Sequence, residues 1–148
     1  MPALLQKEFT LSNGRADALE TVVALLRKHK NKEYFAYERG DFWHIGIGSF
    51  ATLVVDSKGE TAKTYLKDVE QQSDHITKSL SAVAREFVEQ HAYHPGKMYG
   101  FVGFNYAAHV RGLKFKAGEW PLLTIMVPAT QVTILQNCRY VILVLIFR

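Results

Sequence analysis

Apolar positions recur along this chain with two different periods, and the switches between them mark out its elements. From Asp17 to His29, Leu19, Val22, Val23 and Leu26 share a face at the 3.6-residue period, which predicts an amphipathic helix. Ser12 or Asn13 serves as its cap, and Asp17 and Glu20 lie at the positive end of its dipole. Ile76, Leu80, Val83 and Phe87 form a second stripe, on a helix opened by Ser73-Asp74 and running to about Gln90. Pro95 and Gly96 stop the chain from continuing helically, since proline biases its predecessor out of the helical region. The two main helices therefore fall at about 14–29 and 73–91.

Between and after these helices the pattern is that of strands. Tyr34, Tyr37 and the pair Phe42-Trp43 bracket the turn signal Arg39-Gly40-Asp41, so residues 33–47 read as a hairpin. Ala51 to Val55 is the next strand, and Ser57-Lys58-Gly59 turns it into Glu60 to Tyr65. Lys67 to Ser73 reads as a polar connection. Trp120-Pro121 leads into the apolar strand Leu122 to Val127, Pro128 interrupts it, and Thr130, Val132 and Ile134 mark one more half-buried strand. Strands this close in sequence pair without crossover helices. The prediction is an α+β fold with a mainly antiparallel sheet of five or more strands and two or more packing helices. It forms one domain over residues 1–136, followed by an atypical apolar tail at 137–148.

One stretch departs from simple alternation. In Met98-Tyr99-Gly100-Phe101-Val102-Gly103-Phe104-Asn105-Tyr106-Ala107-Ala108-His109-Val110-Arg111-Gly112-Leu113, glycines punctuate a run of aromatics, and Gly100 and Gly103 remove side chains where another backbone must approach. This glycine-aromatic strand is expected inside the sheet. A phosphate cradle would need loop amides and a Lys-Ser/Thr ending, which this segment lacks.

Composition changes the picture little. The chain has 148 residues, 48% of them hydrophobic and 22% charged, which suits a globular core and argues against disorder. The net charge of +4 is scattered, apart from Lys28, Lys30 and Lys32 at the end of the first helix, so a nucleic-acid partner is not expected. The single cysteine, Cys138, excludes an internal disulfide and fits a reducing compartment, the cytoplasm by default. No signal peptide is evident, and Tyr140 to Phe147 is too short for a spanning helix, so it reads as a strand and no membrane partner is expected.

Candidate chemistry is sparse. His91 and His94 are spaced so that two imidazoles share a helix face, but a zinc site needs three or four ligands. They read as helix-end histidines favoured by the dipole. His44, His75 and His109 have no Ser, Cys or Asp spacing that marks a triad. No catalytic, cofactor-binding or metal-binding residue is assigned.

Three ordered blocks carry a family resemblance. The glycine-aromatic stretch resembles a strand in the N-terminal half of chorismate-utilising enzymes: the anthranilate synthase large subunit, isochorismate synthase and, most closely, salicylate synthase. Glu33-Tyr34-Phe35-Ala36-Tyr37-Glu38-Arg39-Gly40-Asp41-Phe42-Trp43 is similar to a salicylate-synthase segment in which an aromatic-rich strand ends in Tyr-Glu before an aromatic pair. Pro121-Leu122-Leu123-Thr124-Ile125-Met126-Val127-Pro128-Ala129-Thr130-Gln131-Val132 resembles the family's apolar strand, proline and polar restart. The likeness covers roughly residues 30 to 135.

The resemblance implies the N-terminal part of the anthranilate synthase component I fold. It also implies a parent reaction: magnesium-dependent conversion of chorismate to isochorismate, then loss of pyruvate to give salicylate, in siderophore or aromatic-compound biosynthesis. In such enzymes the magnesium-binding glutamates and the base lysine lie mainly in the C-terminal half. No residue here matches them, so this chain is expected to hold no cofactor and to be inactive alone, the catalytic half or an equivalent chain being the implied partner. The Leu-Leu-Glu-Ser element that helps anthranilate synthase bind tryptophan is replaced by Ala36-Tyr37-Glu38-Arg39, and Asn105 stands where many relatives have an acidic residue. These departures favour the salicylate or isochorismate branch. The alternative is a free-standing interaction or small-ligand-binding module that kept the scaffold without the chemistry. The uncharged run at 140–147 predicts self-association unless another strand covers it.

Overall fold

A computed structural model describes residues 4–11, 18–92, 96–135 and 140–147, with 4–11 and 140–147 described by their backbone pairing. The elements in chain order are β1 (Leu4–Leu11), α1 (Ala18–Lys28), β2 (Tyr34–Arg39), β3 (Phe42–Val55), β4 (Thr61–Leu66), β5 (Val69–His75), α2 (Leu80–Gln90), β6 (Tyr99–Val102), α3 (Tyr106–Val110), β7 (Leu123–Leu135) and β8 (Tyr140–Phe147). The fold is α+β and the sheet is mainly antiparallel. The chain falls into two compact units, residues 1–48 with 128–148, and residues 49–127.

In the first unit β2 and the start of β3 form the expected hairpin, with Tyr34 opposite Ile47 and Arg39 opposite Phe42. Gly40 turns it at φ +59°, a left-handed conformation that glycine adopts without strain. Ile45, Ile47, Val132 and Ile134 form the core with Ala18 and Val22 of α1. Leu19 and Val23 are exposed, and Leu25 and Leu26 pack instead. The buried stripe therefore runs through Ala18, Val22 and Leu25–Leu26, rotated about the helix axis from a face centred on Leu19 and Val23. β8 pairs with β1 along its whole length and with β7 from Thr130 to Ile134, so both of its hydrogen-bonding edges are occupied.

In the second unit the end of β3 pairs with β4, β4 with β5, and β6 with β7. Its core joins Ala51, Leu53 and Val55 of β3, Leu80, Val83 and Phe87 of α2, and Leu122, Leu123 and Val127. Ser79 caps α2, its side-chain oxygen accepting from the Ala82 N–H at 3.2 Å.

Several expectations need correction. Residues 69–75 are not a linker and the opening of a helix but an edge strand, reached from β4 through Lys67 and Asp68, both with positive φ. Every residue of β5 is exposed, so it has no buried face to imprint alternation on the sequence. Helix α2 starts at Leu80, and Ile76 packs on the core from outside it. Pro128 does not break the strand after Val127: β7 is continuous, and Pro128 falls between its pairing with β6, which ends at Met126, and that with β8, which begins at Thr130. No ladder hydrogen bond to either strand is lost there. The glycine-aromatic strand is not interior either. β6 has four residues and, among the described residues, pairs with β7 alone. The expected cap Ser12 or Asn13, with Asp17, His94, Pro95 and Cys138, lies outside the described residues.

Candidate apolar groove

Gly100 and Gly103 explain how the groove is built. A Cβ on Gly100 would stand 2.5 Å from the Thr124 carbonyl oxygen, and one on Gly103 would be closer still to that of Pro121. Their absence lets the β6 backbone lie against the start of β7, and the Gly103 N–H donates to the Leu122 carbonyl at 2.8 Å. The sequence reading of these glycines as steric is thereby borne out. Past Gly103 the chain turns into α3, the Tyr106 N–H donating to the Gly103 carbonyl at 3.0 Å. After α3 it returns through residues 111–119, and the Asn105 side-chain amide donates to the Lys116 carbonyl at 3.0 Å, tying that return to the start of the helix.

The result is a groove of about 450 Å³ lined by Phe101, Gly103, Phe104, Asn105, Gly118, Trp120 and Leu122. Phe104 is 100% exposed, Trp120 76% and Phe101 38%. Val102, Val110 and Leu113 on the same segment are exposed as well. Exposed aromatic side chains gathered along one groove of a folded surface mark an interaction or ligand site. No charged side chain lines the groove. Between residues 97 and 120 the basic residues are Lys97, Arg111, Lys114 and Lys116, against the single acid Glu119.

A second cleft, of about 360 Å³, lies where α2 crosses β4 and β5. The register sets Ala62 opposite Asp74 and Thr64 opposite Gln72, and Leu53, Val83 and Phe87 are apolar lining residues. Two pairs of its polar groups serve one another: Lys78 pairs with Glu86, and the Gln72 amide donates to Asp74. The apolar groove, whose aromatic rings face water, is the better candidate.

The histidines are scattered among structural roles. His44 is buried on β3 beside Tyr37 and Phe42, with ring centroids at 5.2 and 6.1 Å. His75 ends β5. His91 follows α2, its Nδ1 2.9 Å from the Phe87 carbonyl oxygen. The imidazole of His109 lies on Gly59, whose φ is +75°. Among the described residues no three His, Cys, Asp or Glu side chains are grouped to hold a metal ion. Among the same residues no helix is long and apolar enough to cross a membrane.

The groove residues went unassigned in the sequence because neither periodicity marks them. Phe104 follows a glycine just past the end of β6, and Trp120 lies at the end of an irregular segment rich in lysine and glycine. The available signal was aromatic residues placed where no buried face is due. No protein-family model matches the sequence, and no curated protein matches it.

Proposed function

We propose that the chain is the non-catalytic sheet region of a chorismate-utilising enzyme of the salicylate-synthase type, working in the cytoplasm with a catalytic half that carries the magnesium ligands and the base. The observation that supports this reading most is the relation between the second and third resembling blocks. Their strands β6 and β7, separated by residues 103–122, lie side by side, with Gly100 and Gly103 against Thr124 and Pro121. The glycines of the resembling block thus have a steric purpose that depends on the other block, which is what a shared fold requires of a glycine-aromatic motif. The role assigned to the chain is to hold a sheet surface against the catalytic half. No proton transfer or metal contact is assigned to its residues. The parent reaction transfers a hydroxyl on chorismate and then eliminates pyruvate.

A second reading, a free-standing interaction or small-ligand-binding module, is favoured by β8. Within its unit β8 pairs with β1 along its whole length and with β7 from Ile142 to Ile146, so its backbone edges are not left open over that stretch. A salicylate-fluorescence assay of the purified chain with chorismate and magnesium tests the assignment of a non-catalytic role. Product no greater than in the protein-free control is expected, and product abolished by chelation would overturn it.

A further inference from the structure

We infer that the Phe101–Phe104–Trp120 groove is a docking site for a polypeptide segment that carries an aromatic or leucine anchor flanked by acidic residues. The inference holds under either reading of the function, because it concerns what the groove takes and not which reaction the whole protein serves. Three features point to that occupant.

The first is the shape and lining. A groove of about 450 Å³ with no charged lining residue accepts one large apolar side chain. Phe104 and Trp120, both exposed, are of the aromatic types enriched at protein interfaces. The second is charge. The segment that builds the groove holds Lys97, Arg111, Lys114 and Lys116 against Glu119, and all five are exposed. The Asn105 bond to the Lys116 carbonyl ties the stretch that carries Lys114 and Lys116 to a residue lining the groove. An excess of exposed cations on that segment attracts acidic flanks and disfavours basic ones. The third feature separates a polypeptide from a single-stranded nucleic acid, which also combines aromatics with cations. The groove's own lining sets aliphatic Leu122 and two glycines beside the aromatic rings. Bases gain by stacking on π faces and gain little on aliphatic ones, whereas apolar side chains pack on both.

The test selects random phage-displayed peptides on the full chain and measures the affinity of the enriched ones by fluorescence polarisation. Enriched peptides should combine an aromatic residue or leucine with net negative charge. Phe104→Ser with Trp120→Ser should weaken them about tenfold or more, as loss of interface anchors does. Lys114→Glu with Lys116→Glu should weaken them several-fold and reduce the salt dependence. All four side chains are exposed, so both double variants should melt with the parent; the charge pair, which leaves the apolar lining intact, remains informative if the aromatic pair does not fold. The inference is overturned if no peptide is enriched, if enriched peptides are not acidic, or if binding ignores both variants. Tighter binding of oligouridine than of any peptide would assign the groove to nucleic acid, and self-association abolished by the aromatic pair would assign it to a second copy. Either result would also overturn the inference.

Discussion

Replacing Gly103 by alanine probes the contact on which β6, the groove and the resemblance all depend. The added methyl carbon meets the Pro121 carbonyl oxygen and lies 3.4 Å from the Leu122 Cα, both of them backbone, which cannot rotate away as a side-chain tip would. The strands must separate, which costs about 1–3 kcal/mol as overpacking. The separation also stretches the 2.8 Å bond from the Gly103 N–H to the Leu122 carbonyl, a further ~0.5–1.5 kcal/mol. The expected loss is therefore about 1.5–4.5 kcal/mol, and Gly103→Val should lose more. Gly118→Ala is the matched control, since nothing lies within 4 Å of its Cβ position and its φ is not positive. That change should stay within about 0.5 kcal/mol of the parent. Urea unfolding followed by circular dichroism gives both values. A Gly103→Ala protein as stable as Gly118→Ala would refute the close approach and with it the steric reading of the motif.

Other perturbations have magnitudes set by equally local causes. Phe87→Ala empties the centre of the second unit's core and should cost about 3–5 kcal/mol in the same unfolding measurement. Ser79→Ala removes the side-chain cap of α2 and should cost about 1 kcal/mol, whereas Ser79→Asp should keep most of it. Gly59→Ala is doubly disfavoured, by its φ of +75° and by overlap with the His109 ring. It should lose about 1–3 kcal/mol, and adding His109→Ala should recover the part due to overlap, leaving the backbone strain. Lys78→Ala breaks only an exposed ion pair with Glu86 and should change stability by no more than ~1 kcal/mol.

The elements legible in the sequence were those with one buried face. Helix α2 announced itself through Leu80, Val83 and Phe87, all in the core, and the β2–β3 hairpin through Gly40 between aromatic flanks. β5 was illegible because its contribution is backbone hydrogen bonding to β4 with every side chain exposed. β7 was split in two because proline ordinarily ends a ladder, whereas Pro128 falls where the partner changes from β6 to β8. The glycines of the candidate site could be read as steric, yet what they abut is far away in sequence. Exposure of Phe104 and Trp120 depends on the return of residues 111–119 after α3, which no periodicity encodes.

The central claim, that the chain is the sheet region of a salicylate-synthase-type enzyme, is tested most directly by complementation. The full chain would be co-expressed with the catalytic half of a salicylate synthase deprived of its own N-terminal region, and salicylate formation from chorismate would be followed by fluorescence with magnesium present. The account predicts that the two polypeptides co-elute and that the pair forms salicylate at a rate well above the sum of the separate proteins. Absence of co-elution, with the catalytic half soluble and its activity unchanged by the chain, would contradict it and leave the free-standing module.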